Sequence, residues 1–214
     1  MDTLPDLHAL ERARAIVYRT LQPTPQYAWP LLAERVGARI WVKHENHTPT
    51  GAFKVRGGLV FVDRLLREKP ETRGLVSATR GNHGQSLAFA ARAHGLSCVI
   101  LVPHGNSVEK NAAMRAFGAE LIEVGEDFDA AKAEVPKIAA ERGFEIVPSF
   151  HPDLVTGVGT YGIELFRAVP DLDVVFCPIG LGSGVCGLIA AKAALGRTVE
   201  IVGVVSTRAD AYKR

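Results

Sequence analysis

The sequence has no long apolar segment. Its longest apolar runs, such as residues 98–102 and 201–205, are far shorter than the roughly 20 residues that a membrane-spanning helix needs. Residues 1–6 contain neither a basic stretch nor an apolar stretch of the kind that opens a secretory signal peptide. We therefore expect a cytoplasmic protein that has no membrane partner.

The sequence also has few cysteines, no metal-ligand spacing and no large excess of positive or negative charge. The three cysteines form no CxxC pair and the seven histidines form no HxxxH pair, so neither a zinc site nor a disulfide framework is expected. The 25 basic and 23 acidic residues are scattered and leave a net charge of +2. This balance argues against a nucleic-acid partner.

What the sequence does contain is an alternation of short β-rich runs and longer helical patterns. No glycine–serine linker interrupts this alternation, and several strands are apolar on both faces, as in a parallel sheet that helices cover on both sides. We predict an α/β fold of parallel βαβ units. The predicted strands are residues 39–43, 74–78, 97–102, 119–124, 144–147, 173–178 and 199–205, and the predicted helices are residues 55–69, 83–94, 108–117, 127–142, 158–169 and 185–195.

Lys54 stands at a predicted strand–turn–helix junction. A strand ends at Lys43, a Thr-Pro-Thr-Gly turn follows at residues 48–51, and Lys54 comes at the entrance of the next helix. The partial positive charge of a helix N-terminus disfavours an ammonium, so a lysine placed there can act as an amine nucleophile. On the pattern alone, a solvated surface lysine is the commoner outcome.

Residues 77–86, Ser-Ala-Thr-Arg-Gly-Asn-His-Gly-Gln-Ser, form a second junction of this kind. Exposed backbone N–H groups at the start of a helix can hold an anion. The alternative is an ordinary turn in which Asn82 acts as the N-cap of the helix.

The third junction is glycine-rich. Residues 180–187, Gly-Leu-Gly-Ser-Gly-Val-Cys-Gly, follow a strand and open a helix, so backbone donors there can approach a phosphate closely. Residues 182–187 also match the dinucleotide fingerprint GxGxxG, which leaves a nicotinamide-nucleotide site as an alternative. That alternative explains neither the Lys54 junction nor the asparagine loop.

These motifs, in this order, resemble the fold-type-II pyridoxal-phosphate enzymes, the tryptophan-synthase β-like family. The closest resemblance is to the serine/threonine dehydratase branch, whose lysine motif reads KxExxxxTGSFKxRG. Further likenesses are Thr24-Pro25, Phe150-His151-Pro152, which resembles the family's FxHP, and a GxGTxxxE at residues 157–164, where we expect a tight glycine bend before a helix. The residues that match the lysine motif are Lys43, Glu45, Thr50, Gly51, Phe53, Lys54, Arg56 and Gly57, while Ala52 replaces the serine.

The resemblance implies a role for each loop. Lys54 would carry pyridoxal phosphate as a Schiff base, beside Phe53, and would remove the substrate's α-proton. Asn82 would hydrogen-bond the phenolic oxygen of the cofactor. The residues implied in substrate binding are Arg80, Gly81, His83, Gly84 and Gln85, and those implied in cofactor-phosphate binding are Gly180, Gly182, Ser183 and Gly184.

Three departures from the family pattern qualify this expectation. Arg80 replaces a serine that acts as a second acid–base group in the related racemases, so simple racemisation is not expected, whereas a second anionic group on the substrate would suit a guanidinium. Val205 replaces the glutamate of the divalent-cation site, so no metal is expected. Family members also continue further, and we therefore expect that the chain is truncated at its C-terminus.

The resemblance implies two doubly wound parallel-sheet lobes with the cofactor in the cleft between them. Residues 1–74 and 148–214 would form the larger lobe, and residues 75–147 the smaller lobe with the asparagine loop. The implied reaction is α,β-elimination from an amino acid such as threonine or serine, in a homodimeric complete protein. The alternatives are a β-replacement synthase, an ammonia-lyase for an anionic amino acid, and a shortened chain that binds the cofactor without turnover.

Overall fold

The computed structural model describes residues 4–208, in which helices and strands alternate. A short 3-10 helix, Glu45–His47, precedes the third α-helix. The helices are α1 (Leu7–Val17), α2 (Pro30–Val36), α3 (Lys54–Glu68), α4 (Asn82–Ala93), α5 (Val108–Ala116), α6 (Phe128–Ala133), α7 (Val135–Arg142), α8 (Pro152–Ala168) and α9 (Ser183–Ala194). The strands are β1 (Gln26–Ala28), β2 (Trp41–Lys43), β3 (Gly74–Ala78), β4 (Ser97–Val102), β5 (Glu120–Glu123), β6 (Glu145–Ile146), β7 (Val174–Pro178) and β8 (Glu200–Val204).

A four-stranded parallel sheet in the order β5-β4-β3-β6 is the most regular part of the fold. One face of β3 and β4 packs into a core with residues of α3, α4 and α5. The other face packs against apolar residues of α6 and α7. Both faces are therefore covered, as the two-sided apolar pattern of these strands predicts.

Two shorter sheets complete the strand inventory. Strands β7 and β8 are parallel, in register from Val174–Glu200 to Pro178–Val204. Strands β1 and β2 are antiparallel, so this pair departs from the all-parallel prediction. The sequence pattern did not predict β1, because a strand of three residues is too short to show an alternation.

Two predicted helices differ from the structure by more than two residues or by a break. The predicted helix 127–142 is two helices, because Pro136 in the first turn of α7 has no N–H with which to continue α6. The predicted helix 158–169 begins six residues earlier, at Pro152, where the His151 ring nitrogen Nδ1 accepts a hydrogen bond from the Asp153 amide.

The expected glycine bend at residues 157–160 is therefore wrong, since both glycines lie inside α8. A Cβ atom on Gly157 would lie 2.8 Å from the Cα of Gly57 in α3. Where α8 crosses α9, a Cβ atom on Gly187 of α9 would lie 2.8 Å from the Gly159 amide nitrogen of α8. These glycines let α8 approach α3 and α9 closely, which fixes the helices that begin at Lys54 and at the glycine loop.

The two short sheets leave strand edges open. Among residues 4–208, β2 pairs only with β1, and β7 pairs only with β8. Both strands line a cavity of about 830 Å³, where Phe176 of β7 is 70% exposed and Val174 is 37% exposed. No helix in this part of the chain combines the length and apolar character that crossing a membrane requires.

Candidate active site

Lys54 is the first residue of α3, as the sequence predicts for the helix entrance. Its ammonium nitrogen Nζ lies 2.7 Å from the hydroxyl oxygen of Ser183, the first residue of α9. Burial lowers the pKa of Lys54 below its ordinary value. The structure thus brings the predicted lysine and the predicted glycine loop into direct contact and favours the neutral amine.

The backbone of Lys54 is held by a residue to which the sequence analysis gave no role. The buried Ser86 hydroxyl of α4 donates a 2.7 Å hydrogen bond to the Lys54 carbonyl oxygen. A Cβ atom on Gly58, one turn further along α3, would lie 3.0 Å from the Ser86 carbonyl oxygen. Ser86 stands at the end of the asparagine motif, and that position was the only available sequence signal for this contact.

The asparagine loop begins α4 without a side-chain cap. Gly81 is the N-cap and Asn82 is the first helical residue, so the alternative in which Asn82 caps the helix is wrong. The Gly81 amide donates to the hydroxyl oxygen of Thr79 at 3.1 Å, which fixes the turn. The first backbone N–H groups of an uncapped helix have no intrahelical acceptors. They point out of the N-terminal end of the helix, where they can bind an anion.

His83 and Gln85 lie deeper than Asn82. The His83 side chain is buried, and its Nε2 atom has no hydrogen-bond partner among the described residues. Burial and the nearby charge of Lys54 lower the pKa of His83 to about 3, so the ring is neutral at ordinary pH. A buried polar atom without a partner is rare in proteins, so His83 is a candidate to contact a bound molecule.

Two cations stand at the surface of the asparagine loop. Arg80 is exposed and forms no ion pair within residues 4–208. Lys110, in the first turn of α5, lies over the loop, since a Cβ atom on Gly81 would be 3.1 Å from its Nζ. The sequence analysis missed Lys110, because its position on a separate helix gives no local pattern.

The glycine loop has the conformation that its glycines predict. Gly182 is the N-cap of α9 and has a φ of 95°, in the left-handed region that favours glycine. No side chain caps α9, and nothing lies within 4 Å of a Cβ atom placed on Gly180, so the loop has room for an anion. The Tyr161 hydroxyl donates to the Gly184 carbonyl oxygen at 3.2 Å, and a Cβ atom on Gly184 would lie 3.0 Å from the Phe53 ring.

The donor set fits a phosphorylated aldehyde. Two uncapped helix N-termini, at Asn82 and Ser183, offer backbone N–H groups to anionic oxygens. Between them stands Lys54, whose lowered pKa suits an amine that forms a covalent bond with a carbonyl carbon. The 830 Å³ cavity reaches this place, because Phe53, Asn82 and Tyr161 are among its lining residues.

Comparisons with known proteins agree with this chemistry. The biosynthetic L-threonine dehydratase of Haemophilus influenzae is 33% identical over 201 residues, which are 94% of this chain and 39% of the relative. A pyridoxal 5'-phosphate-dependent aspartate racemase matches with a TM-score of 0.87 and 26% identity, over 96% of this chain and 64% of the racemase. Threonine deaminase isoform 2 from Solanum lycopersicum matches with a TM-score of 0.83 and 27% identity, over 97% of this chain and 62% of the deaminase.

The chain therefore spans about two fifths of the bacterial dehydratase and less than two thirds of each solved chain. The solved structures confirm the predicted α/β fold with parallel sheets. The family profile described as "Pyridoxal-phosphate dependent enzyme" matches residues 17–214. This match covers most of the sequence, and the chain belongs to the pyridoxal-phosphate dependent enzymes.

Proposed function

We propose that the protein eliminates water from a β-hydroxy amino acid, such as threonine or serine, and releases a 2-oxo acid and ammonia. The observation that carries this proposal is the 2.7 Å contact between Lys54 Nζ and Ser183 Oγ, between two uncapped helix N-termini. The dehydratase and deaminase relatives support the same reaction class. In this proposal, residues 75–147 form the smaller lobe, and residues 1–74 and 148–214 form the larger lobe, of which residues 1–3 and 209–214 lie outside the described residues.

Pyridoxal phosphate, the cofactor of this family, supplies an electron sink for the carbanion that forms when the α-proton leaves. The loop residues Gly180, Gly182, Ser183 and Gly184 would hold its phosphate through backbone donors and the Ser183 hydroxyl. Asn82 would bind its phenolic oxygen, and the Phe53 ring would close one side of the site. The amides of His83 and Gly84 would take the substrate carboxylate, since the Gly81 amide already donates to Thr79 and the Gln85 amide to the Gly81 carbonyl oxygen.

Lys54 has the properties that a proton-transferring amine needs. Its pKa is lowered by burial, so a larger fraction of the side chain is neutral near pH 7 than for a surface lysine. In this proposal, Nζ would leave its contact with Ser183 to reach the α-carbon of a substrate held at the asparagine loop. The neutral His83 ring offers Nε2 to a polar group of the bound substrate or cofactor without adding a competing positive charge.

The direct test is chemical labelling of Lys54. After incubation with pyridoxal phosphate and borohydride reduction, peptide mass spectrometry should find the label on Lys54. The Lys54→Ala variant should lose the label and the formation of 2-oxo acid from threonine. Lys69→Ala, which removes an exposed lysine just beyond the other end of α3, should keep both. Equal cofactor uptake by Lys54→Ala would refute the assignment.

A second substrate class is favoured by Arg80 and Lys110. Both are exposed cations beside the asparagine loop, so a second anionic group on a bound substrate would be attracted to them. An amino acid with a second carboxylate, such as a 3-hydroxyaspartate, would supply that anion, and an aspartate racemase is among the similar structures. Because Arg80 is exposed, one guanidinium–carboxylate pair there would contribute about 0.2–1 kcal/mol, which corresponds to roughly 1.4- to fivefold in selectivity.

The Arg80→Ser variant distinguishes the two substrate classes. If Arg80 binds a second anionic group, the parent protein should have a higher kcat/KM for 3-hydroxyaspartate than for threonine. The serine variant should then reverse this ranking, chiefly by raising KM for the dicarboxylic substrate. Arg92→Ser, which removes a cation near the opposite end of α4, serves as the control. A parent that prefers threonine, with an unchanged ranking in Arg80→Ser, would exclude this second class.

A further inference from the structure

Arg56 lies in the same helical turn as Lys54, and its side chain is fully buried. Its guanidinium holds two carboxylates. The Glu45 carboxylate accepts from Nε at 2.8 Å and from Nη2 at 2.9 Å, and the Glu164 carboxylate accepts from Nη1 at 2.6 Å and from Nη2 at 3.1 Å. The Thr160 hydroxyl oxygen also accepts from Nη1 at 3.1 Å. All five N–H donors of the guanidinium thus have oxygen partners around them.

A second cation balances the charge of this group. The Lys43 ammonium lies 2.6 Å from Glu164 and 2.7 Å from the Thr24 carbonyl oxygen. The Tyr18 hydroxyl donates to Glu164 at 2.9 Å. Burial alone would raise the pKa of the Glu164 carboxyl, but Arg56 and Lys43 lower it below its ordinary value. We call Arg56, Lys43, Glu45 and Glu164 the buried charge cluster; its two cations and two carboxylates sum to zero.

The buried charge cluster joins segments that are distant in the sequence. It links the end of β2 and the 3-10 helix to α3 and α8. Buried ion pairs contribute little net stability compared with apolar residues of the same shape, and their known benefit is a defined arrangement of the elements that they join. A cluster of this size, with Arg56 two residues from Lys54, therefore indicates that the relative positions of these elements matter for the site.

Helix α8 extends this geometry to the glycine loop. Tyr161, which lies between the cluster contacts Thr160 and Glu164, donates to the Gly184 carbonyl oxygen at 3.2 Å. Its ring also packs against Phe53, with the ring centroids 5.7 Å apart. Helix α8 thus contacts the turn of α3 that carries Lys54 through Thr160 and Glu164. It contacts the loop that carries Ser183 through Tyr161.

We propose that the buried charge cluster is a positioning device, in which Arg56 aims Lys54 at Ser183 and Glu45 and Glu164 fix Arg56. Arg56 and Glu164 are not among the residues that line the 830 Å³ cavity, whereas Lys43 and Glu45 are. The cluster acts through α3 and α8 on the distance between the Lys54 amine and the glycine loop. The proposal rests on the assignment of Lys54 as the reactive amine, but part of its test needs no cofactor.

The test compares Arg56→Lys with Arg64→Lys in the full-length protein. Arg64 is a matched control, because it lies on α3 and also bridges two carboxylates, Glu68 and Asp153 of α8, but it is 48% exposed. Each variant keeps its positive charge and loses the two-carboxylate geometry. Borohydride-trapped pyridoxal phosphate on Lys54 should fall at least about tenfold in Arg56→Lys, because small misplacements of a reacting group have large effects on rate. It should stay within about twofold in Arg64→Lys, as expected for an exposed pair.

A cofactor-free measurement separates this proposal from the proposed function. Reductive methylation of Lys54 by formaldehyde, followed against pH, reports the pKa of the amine. His83 of α4, Tyr161 of α8 and Lys110 of α5 are the titratable groups around the site, and the variants leave all three in place. Arg56→Lys should raise the midpoint for Lys54 by about half a unit or more, toward the value of a solvated lysine. Arg64→Lys should not change it.

Thr160→Val provides a milder variant should Arg56→Lys fail to fold. It keeps every charge and removes one neutral acceptor of Arg56, so a folded protein with a smaller loss of Lys54 labelling, about two- to fivefold, is expected. A folded Arg56→Lys with the labelling and the midpoint of the parent would overturn the proposal. If Arg56→Lys does not fold, unchanged values in Thr160→Val would overturn it. Loss of labelling in the parent protein itself would instead refute the role of Lys54.

Discussion

The close approach of α3 and α8 yields a prediction for Gly157→Ala. The added Cβ atom would lie 2.8 Å from Gly57 Cα and 2.9 Å from the carbonyl carbon of Arg56, whereas ordinary contacts are 3.4–4 Å. These neighbours are backbone atoms, so a rotamer change cannot relieve the overlap, and the helices must separate by more than half an ångström.

The expected cost follows from two opposing effects. Overpacking of this kind destabilises proteins by about 1–3 kcal/mol, and a rigid backbone neighbour favours the upper end of that range. Replacing glycine by alanine inside a helix returns up to about 1 kcal/mol. A net loss of about 2 kcal/mol would lower the thermal midpoint by roughly 4–8 °C in a protein of this size.

Thermal unfolding followed by circular dichroism measures this effect, with Thr156→Ala as the control. Thr156 precedes Gly157 on α8, and within residues 4–208 its hydroxyl bonds only to the Pro152 carbonyl oxygen of the same helix. The thermal midpoint of Thr156→Ala should therefore change by at most about 2 °C. The same separation should reduce cofactor labelling of Lys54, because α3 begins at that residue. A Gly157→Ala midpoint at or above that of the parent would show that the helix crossing tolerates a methyl group and that this reasoning is wrong.

Two further predictions concern pH and metals. The pKa of His83 is about 3 in the folded protein and near 6.5 in the unfolded chain, so the unfolded chain binds a proton first as the pH falls. The contribution of the neutral His83 ring to stability is therefore complete above pH 6.5 and is lost as the pH falls toward 3. Denaturant unfolding at several pH values should show a decrease of up to about 1.4 kcal/mol per pH unit from this group in that window, and His83→Asn should remove that component, whereas an unchanged slope would contradict the burial of a neutral ring. Because Val205 stands where the divalent-cation glutamate is expected, magnesium, calcium and chelators should leave the activity of the complete protein unchanged, and a several-fold activation would contradict this.

The sequence predicted those parts of the molecule that have a local pattern. Strands β3 and β4 agree with the prediction to the residue, because both are apolar on both faces and end at turn residues. Helix α3 begins at Lys54, one residue before the predicted start, and the uncapped starts of α4 and α9 fall within the predicted loops. Each of these features depends on neighbours a few residues away.

The features that were wrong or missed depend on distant residues. Gly157 and Gly159 were read as a bend, because the close passage of α3 and α9 that requires glycine inside a helix has no local signal. Arg56 and Glu164 matched family motifs, but the sequence did not reveal that they contact each other across 108 residues. The predicted roles of Asn82 and of the phosphate-binding glycines stay predictions until a cofactor-bound form is measured.

The open edges of β2 and β7 have a consequence for handling the protein. An unpaired strand edge with apolar side chains is a template for pairing with any extended segment, including the same edge of another molecule. Within residues 4–208, β7 presents such an edge, with Phe176 and Val174 exposed beside it. When the edge of β7 has no partner, the protein should therefore aggregate more readily as the protein concentration rises. Phe176→Lys should slow aggregation, because charge on an edge strand opposes strand addition.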